Sequence, residues 1–342
     1  MINIGDITFG PAWKYSDDVL AVAVPIIKNV FPKRRSYKVL EEVKNDVNVE
    51  DTGSISKLEI NSNVDEPVFV RGGTMFEGKG TQSRSPVSSI VIEPNSKKIP
   101  IEVRCIHASH GISAGSSFSF AGFVPHEVEH NLMSNRSQGE VWASVKRYSL
   151  KAQSLGSTGL GKTFGADNLV ANVEEVNKFK GKVSDIISKL PAHKNQVGLV
   201  ILDFNGVVGF ELFDHPDSWK AISSDIIKKY SDVLTQKPAE TSLFKLDEEQ
   251  MLVKIKEFMK RLIDCKKDVA FENNVAKTFL LTGDKIAGEY TTINEVVIHL
   301  LGFRKEKELE REEPRTSIQP FHLDNWRPRT SPILRYWMIS KI

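Results

Sequence analysis

Short apolar runs broken by polar punctuation fill most of this chain, and the period of the apolar positions assigns each stretch. LAVAVPII (residues 20–27) is a continuous apolar run of strand length. SYKVLEEVKND predicts a short helix. After it, KLEINSN, PVFVRGG, SSIVIEP and KKIPIEVRCIH are apolar or alternating runs divided by Asn, Pro and Gly. These predict a meander-like antiparallel sheet with EPNSKK as a hairpin turn. From Pro125 to about Leu150 the spacing becomes helical, and VEEVNKFKGKVSDIISKL carries a helical pattern up to Pro191. GLVILDF and VVGFELF, joined through Asn205-Gly206, predict a hairpin with a two-residue type I′ turn. The clearest helix is DEEQMLVKIKEFMKRLIDC. Met251, Leu252, Ile255, Phe258, Met259, Leu262 and Ile263 form one stripe expected to be core, and Asp247 with Gln250 has capping-box spacing. KTFLLTG to EVVIHLLGF predicts a last β section before a charged tail from Arg304. The expected fold is α+β: an antiparallel, β-rich single body over residues 1–303 with a helical layer, then a C-terminal extension over 304–342.

Composition narrows the class. The 342 residues are 40% hydrophobic, enough for one large domain or two ordinary ones. Basic and acidic residues nearly cancel, 46 against 44, so no whole-protein field draws the chain to nucleic acid or a membrane. Two cysteines, Cys105 and Cys265, argue against a disulfide scaffold. No basic-then-apolar leader opens the chain, and no window is apolar enough to span a membrane. A soluble cytoplasmic protein without membrane contact is the expectation.

Two motifs invite specific chemistry. GSTGLGKT, from Gly156 to Thr163, fits the phosphate-loop pattern. That loop works only when a buried strand delivers it and a helix leaves it, and EVWASVKRYSL upstream has helical spacing. A flexible loop after a helix is the expectation. HEVEH places His126 and His130 one helical turn apart, where they could share a divalent metal such as zinc, with Glu127 as general base on its bound water. Surface histidines are the simpler reading, because short matches arise by chance. His107 and His110 would complete such a site if the CIHASH strand end folds over that helix. Gln82 and Arg84 follow a Gly-rich segment suited to close ligand approach, and Arg is the natural bidentate partner of phosphate. His299 lies in an apolar strand, where a hydrogen-bonded core histidine is the common outcome and ligand contact the alternative. Trp142 and Trp219 are expected in the core, and Asp214 is expected to cap the helix carrying Trp219.

Several segments together resemble one family. PVFVRGGTMFEGKGTQSR resembles its glycine-rich segment ending in Gln-x-Arg, and CIHASHG stands in the place of its Cys-Val-Glu-x-x-Arg-Trp. QGEVW, VGFELFDHPDSW and VVIHLLGF follow in the matching order. The family is the ADP-ribosylglycohydrolase- and rhodanese-phosphatase-associated protein domain. The resemblance implies a single α+β domain and, by gene association, a link to NAD or ADP-ribose metabolism. The chain departs from the pattern at His107, His110 and Gly111, where the family has Glu, Arg and Trp.

Three functions are open on this reading. In the first, the protein binds or processes a phosphorylated, nucleotide-like ligand: Arg84 holds the phosphate, Gln82 orients the ligand, and His107 or His110 supplies acid–base or metal chemistry. In the second, it is a non-catalytic scaffold. Its tail from 320 to 342, rich in Arg and Trp, docks on the body, on a second copy, or on an RNA or protein partner. The third is a metal-dependent hydrolase built on HEVEH.

Overall fold

The computed structural model of the protein describes residues 2, 5–108, 110–133, 137–156, 168–180, 182–237 and 247–305. The chain begins with β1 (Thr8–Phe9), β2 (Val22–Ile27), β3 (Lys38–Val39) and the one-turn helix α1 (Leu40–Val43). A β-rich stretch follows: β4 (Val47–Ser54), β5 (Lys57–Ser62), β6 (Val68–Val70), β7 (Thr74–Gly78), β8 (Arg84–Pro86), β9 (Ile90–Ile92), β10 (Ile99–Cys105) and β11 (Phe118–Phe123). Helices α2 (His126–Met133), α3 (Gln138–Gly156), α4 (Leu169–Lys180) and α5 (Lys182–Lys189) come next. The hairpin β12 (Gln196–Asp203) and β13 (Gly206–Phe213) leads to α6 (Pro216–Lys229), α7 (Ser231–Leu234) and α8 (Glu248–Ile263). Strands β14 (Lys266–Glu272), β15 (Ala276–Thr282), β16 (Ile286–Ile293) and β17 (Val296–Arg304) close the described chain.

Among the described residues the strands form three sheets. The largest runs β1-β2-β12-β13-β17-β16-β15-β14, the second β11-β7-β8-β10-β5-β4, and the third β3-β6-β9. Every pairing is antiparallel except β3 with β6. The fold is α+β. The centre of the large sheet is buried on both faces. Val24, Ile26, Val200, Phe210 and Leu300 pack with Met251, Ile255, Phe258 and Leu262 of α8 on one side. Ala23, Leu199, Ile201 and Val208 pack with Trp219, Ile222 and Ile226 of α6 on the other. Strands buried on both faces read as continuous apolar runs, which is how LAVAVPII and GLVILDF appear. The α8 stripe is core, and the Asp247 side chain accepts the Gln250 N–H at 2.7 Å as its cap.

Local details depart from the sequence reading. EPNSKK is not a hairpin turn: β9 pairs with β6, whereas β10 pairs with β5 and β8, so the turn hands the chain from one sheet to another. In the β12–β13 hairpin Asp203 pairs with Gly206, making Phe204 and Asn205 the loop, and only Gly206 there has a positive φ. A type I′ turn needs positive φ at both central residues, and it occurs at Asn294-Glu295 between β16 and β17. His215 rather than Asp214 caps α6, accepting the Asp217 N–H at 3.1 Å through Nδ1. Asp214 instead accepts the Tyr37 hydroxyl at 2.6 Å. Arg304 ends β17 and binds Asp203 at 2.6 and 2.9 Å. The tail beyond 305 lies outside the described residues, as do residues 157–163 of GSTGLGKT. Both cysteines are free and buried. Among the described residues no helix is long and apolar enough to cross a membrane.

Candidate functional site

A buried ionic network joins the sheets. β6 delivers Arg71 into a tight turn, where Gly72 and Gly73 let the backbone pass against Ser88 and Ser89; a Cβ on Gly72 would lie 2.9 Å from both of their backbones. Arg71 then reaches Glu211 of β13 through Nε at 2.6 Å and Nη2 at 2.8 Å, and Glu129 of α2 through Nη2 at 2.7 Å. Lys229, at the end of α6, meets Glu129 at 2.6 Å as an ion-pair contact and lies 3.7 Å from Glu211. His299 of β17 holds Glu211 through Nε2 at 2.8 Å. These side chains are at most 1% exposed. Burial alone would raise the Glu211 carboxyl, but Arg71 and Lys229 outweigh it and hold it well below the usual carboxylate range. Burial, reinforced by the charge of Arg71, lowers the Lys229 ammonium despite both glutamates. Beside this network Glu289 accepts the Ser89 hydroxyl and, at 2.9 Å, the Ser89 N–H.

A second cluster forms where β8 meets β10. Arg84 pairs across the sheet with Cys105, which puts their side chains on one face. Gln138 of α3 brackets the Cys105 backbone, accepting its N–H at 2.9 Å and donating to its C=O at 2.8 Å. The Gln82 N–H donates to Gly111 C=O at 3.1 Å, and the His107 and His110 rings stack at 5.1 Å. Gln82 and Arg84 form one pair and His107 and His110 another, on chain segments joined by the Cys105–Arg84 pairing and the Gln82 N–H to Gly111 C=O bond. Arg84 Nη1 donates to Gln82 C=O at 2.7 Å, while Nε and Nη2 have no hydrogen-bond partner.

HEVEH folds as the start of α2, and its residues separate by environment. His126 packs on the Tyr230 ring at 5.3 Å and His130 lies edge-on to Phe303 at 5.9 Å, both buried. Burial lowers His126 to about 4. The motif's deeply buried carboxylate is Glu129, while Glu127 is only half-buried. Among the described residues no three His, Cys, Asp or Glu side chains group as a metal site requires. The segment entering Gly156 is helix α3, so no strand delivers the glycine-rich loop.

A cavity of about 700 Å³ lies elsewhere. Phe120, Gly122 and Phe123 of β11 and Met75 line it, together with Lys44, Glu174, Asp225, Lys228 and Asp232. Lys229 belongs to the wall as well as to the ionic network, and Arg71 stacks over the Phe123 ring at 4.9 Å. The network therefore backs the cavity. Asp225 is bound by Lys228 at 2.7 Å, and burial together with the Asp225 charge pushes the nearby Glu41 carboxyl up to about 8.

Sequence reasoning missed Arg71, Glu129, Glu211 and Lys229. The signal was present: Arg71 and Glu211 are lone charges inside the apolar runs PVFVRGG and VVGFELF, and such charges are buried only when paired. The segments carrying the family resemblance converge in space, Arg71, Glu211 and His299 in the network and Gln82, Arg84, Cys105 and Gln138 in the second cluster. No curated protein and no solved structure matches the chain. Residues 7–303 match the model of the ARG and Rhodanese-Phosphatase-superfamily-associated Protein domain, ARPP-1, and the chain belongs to that family.

Proposed function

We propose that the domain binds a phosphorylated, nucleotide-like small molecule in the cavity over Phe120 and Phe123. The observation that carries this reading is the mixed lining of one space. Lys44, and Lys228 in exchange for its contact to Asp225, suit phosphate oxygens, Glu174 and Asn177 suit sugar hydroxyls, and Phe120 with Met75 offers an apolar surface for a base. A volume of about 700 Å³ is in the range of small-molecule sites. The ionic network supports the site from behind, because charges locked against one another hold Lys229 and Phe123 in place rather than turning to the ligand. The family name, read as an association with ADP-ribosylglycohydrolases, makes ADP-ribose the first ligand to test.

The test is a thermal-shift panel on the full chain with ADP-ribose, NAD, ADP and ribose 5-phosphate, since a ligand of the folded state raises the melting temperature. ADP-ribose or NAD is expected to raise it, and a Lys44→Ala/Lys228→Ala variant to lose most of the rise. A flat panel, or a rise undiminished in that variant, contradicts the reading.

A further inference from the structure

The Arg84 cluster lies apart from this cavity. Gln82, Arg84 and Cys105 are not among the residues that line it. Arg84 is 0% exposed, and Ser83 and Ser85 beside it are buried as well. The nearest carboxylate, Asp51, stays 3.9 Å from Nη2. It is held there by the Thr81 hydroxyl and, at 2.8 Å, by the Gly53 N–H. Nε and Nη2 together make the side-on edge of the guanidinium, the edge that takes two oxygens of a carboxylate or phosphate in parallel. Gln82, 6% exposed, takes Nη1 on its backbone C=O and leaves its amide oxygen unpartnered, and a half-turn of the amide presents its NH₂ instead. A buried guanidinium stays charged and requires an anion within hydrogen-bonding reach.

We propose that Arg84 and Gln82 form a second, enclosed site that takes a compact oxyanion, a phosphate or a carboxylate, on the Nε–Nη2 edge. Full burial of Arg84 restricts the ligand to a small group. The exposed run 110–115 borders the site and is tied to it by the Gln82 N–H to Gly111 C=O bond and by the Ser113 N–H to the Thr81 hydroxyl, each at 3.1 Å.

The test is to titrate inorganic phosphate and, separately, formate into the full chain at constant ionic strength and to follow the melting temperature. At least one is expected to raise it. Arg84→Gln is expected to abolish that rise and Lys44→Ala/Lys228→Ala to retain it, which keeps this site distinct from the nucleotide cavity. A response to phosphate alone assigns a phosphate ligand and one to formate alone a carboxylate. No rise with either anion, or an equal rise in Arg84→Gln, overturns the proposal. Should Arg84→Gln fail to fold, Gln82→Ala replaces it: a weakened response supports the site and an unchanged one overturns it.

Discussion

Arg71 and Arg84 are both buried arginines of one glycine-rich segment, 1% and 0% exposed, yet their surroundings are opposite. Around Arg71 the protein supplies two glutamates and the Gly72 C=O at 2.6 Å, which engage its nitrogens, and Lys229 and His299 hold the same glutamates. Around Arg84 it supplies one carbonyl and a carboxylate held out of hydrogen-bonding reach. A charge whose partners all belong to the chain fixes the arrangement of the elements that carry them. A charge left with an open, correctly shaped edge is suited to recognition instead. The first region therefore reads as architecture and the second as a binding site, although their residue types and burial are alike.

The largest expected effect comes from breaking the saturated region. Arg71→Met leaves Glu129 and Glu211 facing only Lys229 and His299, and removal of one partner from a buried ionic network costs about 3–5 kcal/mol. Arg84→Met removes a charge whose carboxylate contact, Asp51, lies 3.9 Å away, and its cost should stay below about 1 kcal/mol because an apolar replacement of a poorly compensated buried charge is close to neutral. Urea unfolding of the two variants checks the difference, and equal losses would erase the distinction.

A smaller effect is expected from the backbone that aims Arg71. In Gly72→Ala the new methyl meets the Ser88 and Ser89 backbones at 2.9 Å, and such overpacking costs about 1–3 kcal/mol. Gly111→Ala, beside the Arg84 cluster, meets nothing within 4 Å and should change stability by less than about 0.5 kcal/mol. Similar melting temperatures for the pair would show that the Arg71 turn is not as tight as described.

The smallest effect is a pH slope. His126, packed on the Tyr230 ring, has its folded-state value lowered by burial from the ordinary 6.5 to about 4. Between these values the unfolded chain binds the proton and the folded chain does not, so stability is full above the upper value and falls as pH drops towards 4. His126→Phe should flatten this part of the stability–pH curve. An unaltered slope would mean that other groups set the acid sensitivity.

Legibility in the sequence followed the range of the interaction. The α8 stripe with its Asp247 cap, the two strands of the β12–β13 hairpin and the helix before Gly156 all rest on contacts within a few residues, and their patterns showed them. Strand partnership is long-range, and a turn such as EPNSKK looks the same whether its strands pair or part. β14 was invisible because KKDVAFE is exposed along nearly its whole length and has no apolar period. The approach of the Gln82–Arg84 segment to the His107–His110 segment rests on one strand pair, β8 with β10. The ionic network draws on five elements, and each lone charge acquires meaning only when the others arrive. HEVEH drew attention to Glu127, whereas the fold buries Glu129 in that network.

The most direct measurement is the crystal structure of the protein grown with ADP-ribose. The account predicts ligand density over Phe120, with phosphate oxygens near Lys44 and Lys228, and the Arg71, Glu129, Glu211 and Lys229 contacts unchanged. Ligand bound at another place, or a ligand phosphate that displaces Glu129 or Glu211 from Arg71, would contradict it.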